Sequence, residues 1–143
     1  MTGGPTAPLH GRCLCGAIQF DIAGPLSPPH ACHCSLCRGQ SGHFVIATEA
    51  EKSDVTFSGE ADLAWFQSSD WARRGFCRIC GSALFWDDGG NQLSINAGAL
   101  DPPTGLKLAR HIYVDEKPDY YDIDDDLPKF AGHDEPIAPP AGS

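Results

Sequence analysis

Seven cysteines, at positions 13, 15, 32, 34, 37, 77 and 80, are the residues of this 143-residue sequence best suited to chemistry. A disulfide framework uses an even number of cysteines in a secreted chain. Residues 1–8 have neither the basic flank nor the apolar segment of a signal peptide, so we expect a cytoplasmic protein. Closely spaced thiols in such a protein indicate metal binding rather than disulfides.

Four of the cysteines form two pairs, Cys13 with Cys15 and Cys77 with Cys80. Each pair can place two thiolates on one ion from a tight turn, and the glycine that follows each pair suits such a turn. Two pairs from distant parts of the chain complete a closed tetrahedral site, which zinc prefers in a structural role. The alternative is a set of free buried thiols.

The other three cysteines, Cys32, Cys34 and Cys37, lie within six residues and can surround a second ion from one loop. Zinc with three protein ligands keeps one position open, which distinguishes catalytic sites from structural ones. We therefore expect two Zn²⁺ ions per chain, the second at an open, catalytic site. The alternative is that a nearby histidine closes this site: His30, His33 or His43.

An open three-thiolate zinc site suits chemistry on a small thiol. A thiol that enters the fourth position loses its proton, and the resulting thiolate can attack an electrophile such as an aldehyde. His33 and His43 are the nearest candidates for the proton donor that this addition needs. Arg38 directly follows a ligand and can hydrogen-bond a thiolate. The sequence does not fix the catalytic residue among these three.

The elements that must position these thiols are short. Glycine and proline together make up 28 of 143 residues, about 20% against a usual background of roughly 12%, which argues against long helices. Alternation places Ile18, Phe20 and Ile22 on one face of a strand over residues 17–22. Similar patterns predict strands over 43–47, 55–57, 63–66, 82–86, 93–97 and 108–114, and one helical turn near 35–38.

These segments predict an all-β fold of mainly antiparallel sheets with little helix. We expect a flexible leader over residues 1–8, a single domain over 9–130 and a flexible tail over 131–143. The formal net charge of −9 argues against a nucleic-acid partner. No apolar run approaches the ~18 residues of a membrane span, so we expect no membrane partner. The oligomeric state does not follow from the sequence.

Five motifs in this order resemble the family of glutathione-dependent formaldehyde-activating enzymes, to which centromere protein V also belongs. They are Gly11-Arg12-Cys13-Leu14-Cys15-Gly16, Cys32-His33-Cys34-Ser35-Leu36-Cys37-Arg38, Phe76-Cys77-Arg78-Ile79-Cys80-Gly81-Ser82, Asn96-Ala97-Gly98-Ala99-Leu100-Asp101 and His111-Ile112-Tyr113-Val114-Asp115.

The resemblance implies a β-tent fold clamped by zinc. It implies a structural zinc at the two cysteine pairs and a second zinc, in the active site, at the remaining three cysteines. The activity it implies is the condensation of glutathione with formaldehyde to S-hydroxymethylglutathione, formally a carbon–sulfur lyase reaction. Glutathione has two carboxylates and needs cationic partners. The candidates are Arg38, Arg73, Arg74, Lys107 and Arg110.

Two other functions fit the same motifs. One is a noncatalytic zinc-stabilised interaction module, a role that would suit a basic extension, which this sequence lacks. The other is a thiol redox or metal sensor in which Cys32, Cys34 and Cys37 release zinc and form a disulfide under oxidation.

Overall fold

The computed structural model describes residues 8–133 and consists mainly of short strands. The strands are β1 (Leu9–Arg12), β2 (Gln19–Ile22), β3 (His30–Cys32), β4 (Val45–Glu51), β5 (Val55–Ser58), β6 (Leu63–Gln67), β7 (Arg73–Cys77), β8 (Ala83–Asp87), β9 (Gln92–Asn96) and β10 (Arg110–Ile112). The α-helix of this part, α1, covers Ser35–Ser41, and 3₁₀ turns cover Lys52–Asp54, Glu60–Asp62, Ala97–Ala99 and Val114–Glu116.

The strands form two sheets. The first has three strands in the order β1-β2-β5, and the second has seven in the order β10-β3-β4-β9-β8-β7-β6. Every neighbouring pair is antiparallel except β10 and β3, which are parallel. The predicted all-β fold of mainly antiparallel sheets with little helix is confirmed.

The strands that the sequence predicted are those with clear apolar patterns. β2, β4, β5, β6, β8, β9 and β10 all overlap predicted segments, with ends that differ by a few residues. β1, β3 and β7 were not predicted. β3 has three residues, and β7 reads Arg-Arg-Gly-Phe-Cys, a composition without apolar alternation. β7 forms because strands pair with it on both sides, which local composition does not reveal.

The main core contains the apolar face of β2. Ile18, Phe20 and Ile22 are all buried, as the alternation predicted. The ring of Phe20 meets that of Phe85 edge to face, with centroids 5.1 Å apart, so the two sheets share this core. Gly11 allows the close approach of β1, because a Cβ there would lie 2.3 Å from the Phe20 ring.

A second, smaller core surrounds Cys32, Cys34 and Cys37 near one edge of the large sheet. Val45 and Ala47 of β4 contribute to it, together with Ile112 and Tyr113 from the end of β10. The cluster of three cysteines therefore lies in apolar surroundings, held by strands β3, β4 and β10.

Residues 1–7 of the predicted leader and 134–143 of the predicted tail lie outside the described residues. Within the structure, the amide of Tyr113 donates to Gly132 O at 3.0 Å and that of Asp115 to Ala131 O at 3.3 Å. Among residues 8–133, no helix is long and apolar enough to cross a membrane.

Candidate metal centres and the adjoining cavity

The first cysteine pair lies in a tight turn between β1 and β2. The amide of Gly16 donates to Cys13 O at 3.1 Å, and the amide of Ile18 donates to Cys13 Sγ at 3.3 Å. Gly16 has a φ of 81°, a conformation that favours glycine. The turn therefore directs a backbone N–H group at the Cys13 sulfur, and the Cys15 sulfur lies beside it.

The second pair repeats this turn between β7 and β8. The amide of Gly81 donates to Cys77 O at 2.8 Å, and the amide of Cys80 donates to Cys77 Sγ at 3.4 Å. Gly81 has a φ of 82°, matching the glycine of the first turn. In both turns, the glycine that follows the cysteine pair donates its amide to the carbonyl of the first cysteine and adopts a positive φ.

The two turns face each other across the two sheets. The four Sγ atoms of Cys13, Cys15, Cys77 and Cys80 all lie within 4.8 Å of one another. Cys15 Sγ is 3.6 Å from Cys13 Sγ and 3.8 Å from Cys77 Sγ. Zinc–sulfur bonds of ~2.3 Å in a tetrahedron require sulfur atoms about 3.8 Å apart. The four thiols therefore have the spacing and donor type of a closed tetrahedral zinc site.

Ser82 links the two turns, and the sequence did not single it out. Its Oγ accepts a hydrogen bond from the Leu14 amide at 2.9 Å, which leaves its own proton for Cys80 Sγ, 3.1 Å away. This hydroxyl is the main cause that lowers the pKa of the Cys80 thiol, to about 5. A low pKa favours the thiolate, the form that binds a metal.

The second cluster lies where β3 ends and α1 begins. The Sγ atoms of Cys32, Cys34 and Cys37 lie within 4.8 Å of one another, and all three residues are buried. Cys34 is the N-cap of α1, and its Sγ accepts the amide of Cys37 at 3.3 Å. The predicted helical turn at 35–38 is therefore the first part of α1 and brings the third thiol onto the other two.

Histidine does not complete the second cluster in the described residues. The group of ligand atoms there consists of three thiols, with no histidine nitrogen or carboxylate oxygen within the same distance limit. The two groups in residues 8–133 thus contain four and three cysteines, the division that the spacing predicted. Neither group shares a member with the other.

His33 points away from the three thiols into a buried chain of hydrogen bonds. Its Nδ1 is 2.6 Å from Tyr121 Oη, and its Nε2 is 2.9 Å from His111 Nδ1. His111 Nε2 lies 2.8 Å from Asp125 Oδ2. The Asp125 carboxylate must accept, so His111 donates from Nε2, His33 donates to His111 Nδ1, and the Tyr121 hydroxyl donates to His33.

This chain of hydrogen bonds occupies both ring nitrogens of each histidine. Burial, with a smaller contribution from the neighbouring His111, lowers the pKa of His33 to about 4. A neutral His33 with both nitrogens occupied fixes the loop between Cys32 and Cys34. The sequence had offered His33 as a candidate acid; its partners, about 80 to 90 residues away in sequence, were not predicted.

The other two catalytic candidates lie on the outer side of the second cluster. The ring of His43 packs against Phe44 and Tyr121, with centroid distances of 4.3 and 4.5 Å. Arg38, on α1, donates from Nη1 to Glu116 O at 3.4 Å. His33, His43 and Arg38 are all absent from the wall of the cavity described next.

A cavity of about 210 Å³ adjoins the three thiols. Its wall includes Cys32 and Cys37 of the cluster. It is also lined by Arg74, Arg110, Glu49 and Ile112. Of the five cationic candidates for glutathione, Arg74 and Arg110 reach this wall, whereas Arg38, Arg73 and Lys107 do not.

The positively charged guanidinium of Arg74 lies beside the thiol of Cys37. It is 4% exposed, and its Nη1 lies 3.5 Å from Cys37 Sγ and 3.4 Å from Gln40 Oε1. Hydrogen bonds with Cys32 and Cys37, with a smaller contribution from the charge of Arg74, lower the pKa of Cys34 to about 2. Cys34 therefore favours the thiolate even in apolar surroundings, whereas hydrogen bonds with Cys34 and Cys37 raise the pKa of Cys32.

Comparison with known proteins identifies the family of this chain. The family model of the glutathione-dependent formaldehyde-activating enzyme matches residues 8–116. The chain belongs to this family. The match includes all seven cysteines, so both clusters lie within the family's domain.

Individual relatives agree with this membership. A Schizosaccharomyces pombe protein named as an uncharacterized lyase is 31% identical over 116 residues, covering 79% of this chain and 83% of its own. A Halomonas elongata protein, provisionally named as a glutathione-dependent formaldehyde-activating enzyme, is 29% identical over 144 residues, covering 91% and 92%. The crystal structure of a Rhodobacter sphaeroides protein superposes with a TM-score of 0.55 at 28% identity, covering 65% of this chain and 88% of that one.

Proposed function

We propose that this protein is a zinc-dependent enzyme of the carbon–sulfur lyase type that acts on a small thiol and an aldehyde. Glutathione and formaldehyde are the proposed pair, in line with the family's description. The observation that carries the proposal is the cluster of three buried thiols, two of which line a cavity, with no fourth protein ligand in the described residues.

The two clusters have different proposed roles. Cys13, Cys15, Cys77 and Cys80 would hold a closed structural Zn²⁺ between the two sheets, which the tetrahedral spacing of their sulfurs supports. Cys32, Cys34 and Cys37 would hold a second Zn²⁺ beside the cavity. When bound there, zinc lowers the pKa of a thiol ligand and so supplies a thiolate at neutral pH.

The proposed reaction needs no oxidant or further co-reactant. A bond forms between the thiol sulfur and the aldehyde carbon. The electron pair of the carbonyl bond passes to the oxygen, which takes up a proton to balance the one lost by the thiol. The product is an S-hydroxyalkyl thioether, and the reverse reaction breaks the same carbon–sulfur bond.

The chain's own residues prepare this site in three ways. Apolar neighbours from β4 and β10 exclude water from the thiols, which strengthens electrostatic interactions there. The positive charge of Arg74 offsets part of the negative charge that three thiolates bring to one ion. The hydrogen-bond chain through His33 holds the loop between Cys32 and Cys34 in one conformation.

Cobalt substitution tests the proposal, because thiolate–cobalt absorption reports directly on the ligands of the ion. We expect two metal ions per chain and a change in the cobalt spectrum when glutathione is added. Cys34→Ser should lose one ion and this response. A spectrum that neither glutathione nor other thiols alter would overturn the proposed function and favour a noncatalytic zinc module instead.

A further inference from the structure

The guanidinium of Arg74 has hydrogen-bond partners for only some of its donors. Its Nη1 contacts Cys37 and Gln40, whereas Nε and Nη2 are buried and have no hydrogen-bond partner within residues 8–133. Buried donors are almost always matched, because an unmatched one loses its hydration without compensation. Arg74 lines the cavity beside the three thiols, so a ligand in this cavity lies next to a guanidinium with two unmatched donors.

The two nitrogens that lack partners lie side by side and can act together as hydrogen-bond donors. Nε and Nη2 form one edge of the guanidinium and present two nearly parallel N–H bonds, the geometry that binds a carboxylate with both oxygens. The neighbouring residue uses the same edge in this protein: Arg73 donates from Nε and Nη2 to Asp87 Oδ2 at 3.2 and 3.1 Å. Arg74 has no corresponding carboxylate among its described contacts.

The fold explains why two adjacent arginines differ. Successive side chains of a strand point to opposite faces, so β7 directs Arg73 and Arg74 to opposite sides of the large sheet. The guanidinium of Arg73 lies 3.9 Å from the centre of the Trp65 ring and is half-exposed. That of Arg74 is buried against α1. The pairing of β7 with β8 shifts register between Gly75 and Phe76, directly after Arg74.

We propose that Arg74 is a specificity-determining residue that binds a carboxylate of the thiol substrate through Nε and Nη2. This inference rests on the proposed function and narrows its substrate class to thiols that carry a carboxylate. Because Nη1 of the same guanidinium is 3.5 Å from Cys37 Sγ, the bound carboxylate lies close to the metal cluster that the substrate sulfur reaches. Arg110 and Glu49 also line the cavity and shape the remainder of the site.

A pair of thiols that differ only in the acid group tests this inference. The probes are 3-mercaptopropionate and 3-mercaptopropionamide, titrated calorimetrically into the zinc-loaded full chain at pH 7.5. We expect the wild type to bind the acid about 10- to 100-fold more tightly than the amide, the range for hydrogen bonds to a charged group. Equal affinities in the wild type would overturn the inference without any variant.

Variants then assign the preference to one residue. Arg74→Gln should lose the preference and bind the acid and the amide with equal affinity. Arg74→Lys keeps the charge but not the paired donors and should show an intermediate preference. Arg73→Gln is the matched control, because its guanidinium is already paired with Asp87, and it should keep the wild-type preference. Zinc content and thermal melting confirm that each variant is folded and loaded.

Butyrate, a carboxylate without a thiol, separates failure of this inference from failure of the proposed function. We expect butyrate, but not butyramide, to raise the melting temperature of the wild type and to have no effect on Arg74→Gln. Such protection without binding of either thiol would overturn the proposed function and support the carboxylate site. Binding of both thiols with no preference would overturn the carboxylate site alone.

Discussion

Replacement of Cys77 by serine tests whether the cluster of four cysteines holds the two sheets together. Cys77 is fully buried, its Sγ lies 3.8 Å from Cys15 Sγ, and it accepts the amides of Ile79 and Cys80. Its turn belongs to the seven-stranded sheet, whereas the turn of Cys15 belongs to the three-stranded sheet. A metal bound here therefore joins the two sheets in addition to their shared apolar core.

The expected loss exceeds what the domain can tolerate. Structural zinc contributes roughly 10–16 kcal/mol of apparent binding free energy, whereas a domain of this size has about 5–15 kcal/mol of total stability. Losing even half of the metal's contribution would leave Cys77→Ser unfolded or without a cooperative transition. Cys34→Ser, the matched control, alters a cluster confined to one end of the large sheet and should lose about 1–3 kcal/mol while keeping its fold.

Circular dichroism, thermal melting and metal analysis of both variants decide the question. We expect Cys77→Ser to lose its β-sheet signal and its melting transition. Cys34→Ser should keep both and bind one metal ion instead of two. Equal loss of folding in the two variants, or a wild-type melting temperature for Cys77→Ser, would refute the division into a structural and an open cluster.

Three further substitutions test other parts of the structure. Ser82→Ala removes the hydroxyl that links the two cysteine turns; zinc retention against a chelator should fall about 10- to 100-fold, and unchanged retention would argue against that link. Gly59→Ala places a Cβ 1.8 Å from a backbone carbonyl oxygen at a φ of 80°, so urea denaturation should show a loss of about 2 kcal/mol or more, and an unchanged midpoint would contradict this strain. Burial raises the pKa of Asp87, but hydrogen bonds from Lys52, a glycine amide and Arg73 outweigh it and lower the pKa. Asp87 therefore stabilises the fold above its unfolded pKa of about 4, and this contribution fades as pH falls through the lower native pKa. Asp87→Asn should cost about 1–3 kcal/mol at pH 7 and progressively less below pH 4 in chemical denaturation; a difference independent of pH would contradict the ion pair.

The sequence alone determined the two cysteine groups and the family. Ligand type and spacing are local properties, so two glycine-flanked pairs and one group of three cysteines could be separated without coordinates. The face of β2 that carries Ile18, Phe20 and Ile22 was also predicted, because alternation along one strand depends on backbone geometry alone. β7 was not predicted, because its polar composition forms a strand only between two partners.

Tertiary structure decided which side chains surround the second cluster. Arg73 and Arg74 are adjacent and chemically identical, yet β7 buries one beside the thiols and pairs the other with Asp87, since the two faces of a strand meet different neighbours. Likewise, proximity in sequence made His33 a candidate acid, but its direction depends on His111 and Tyr121, which lie far along the chain. The residue types fixed which ligand atoms the cluster offers, and contacts between distant segments fixed which charge faces the cavity.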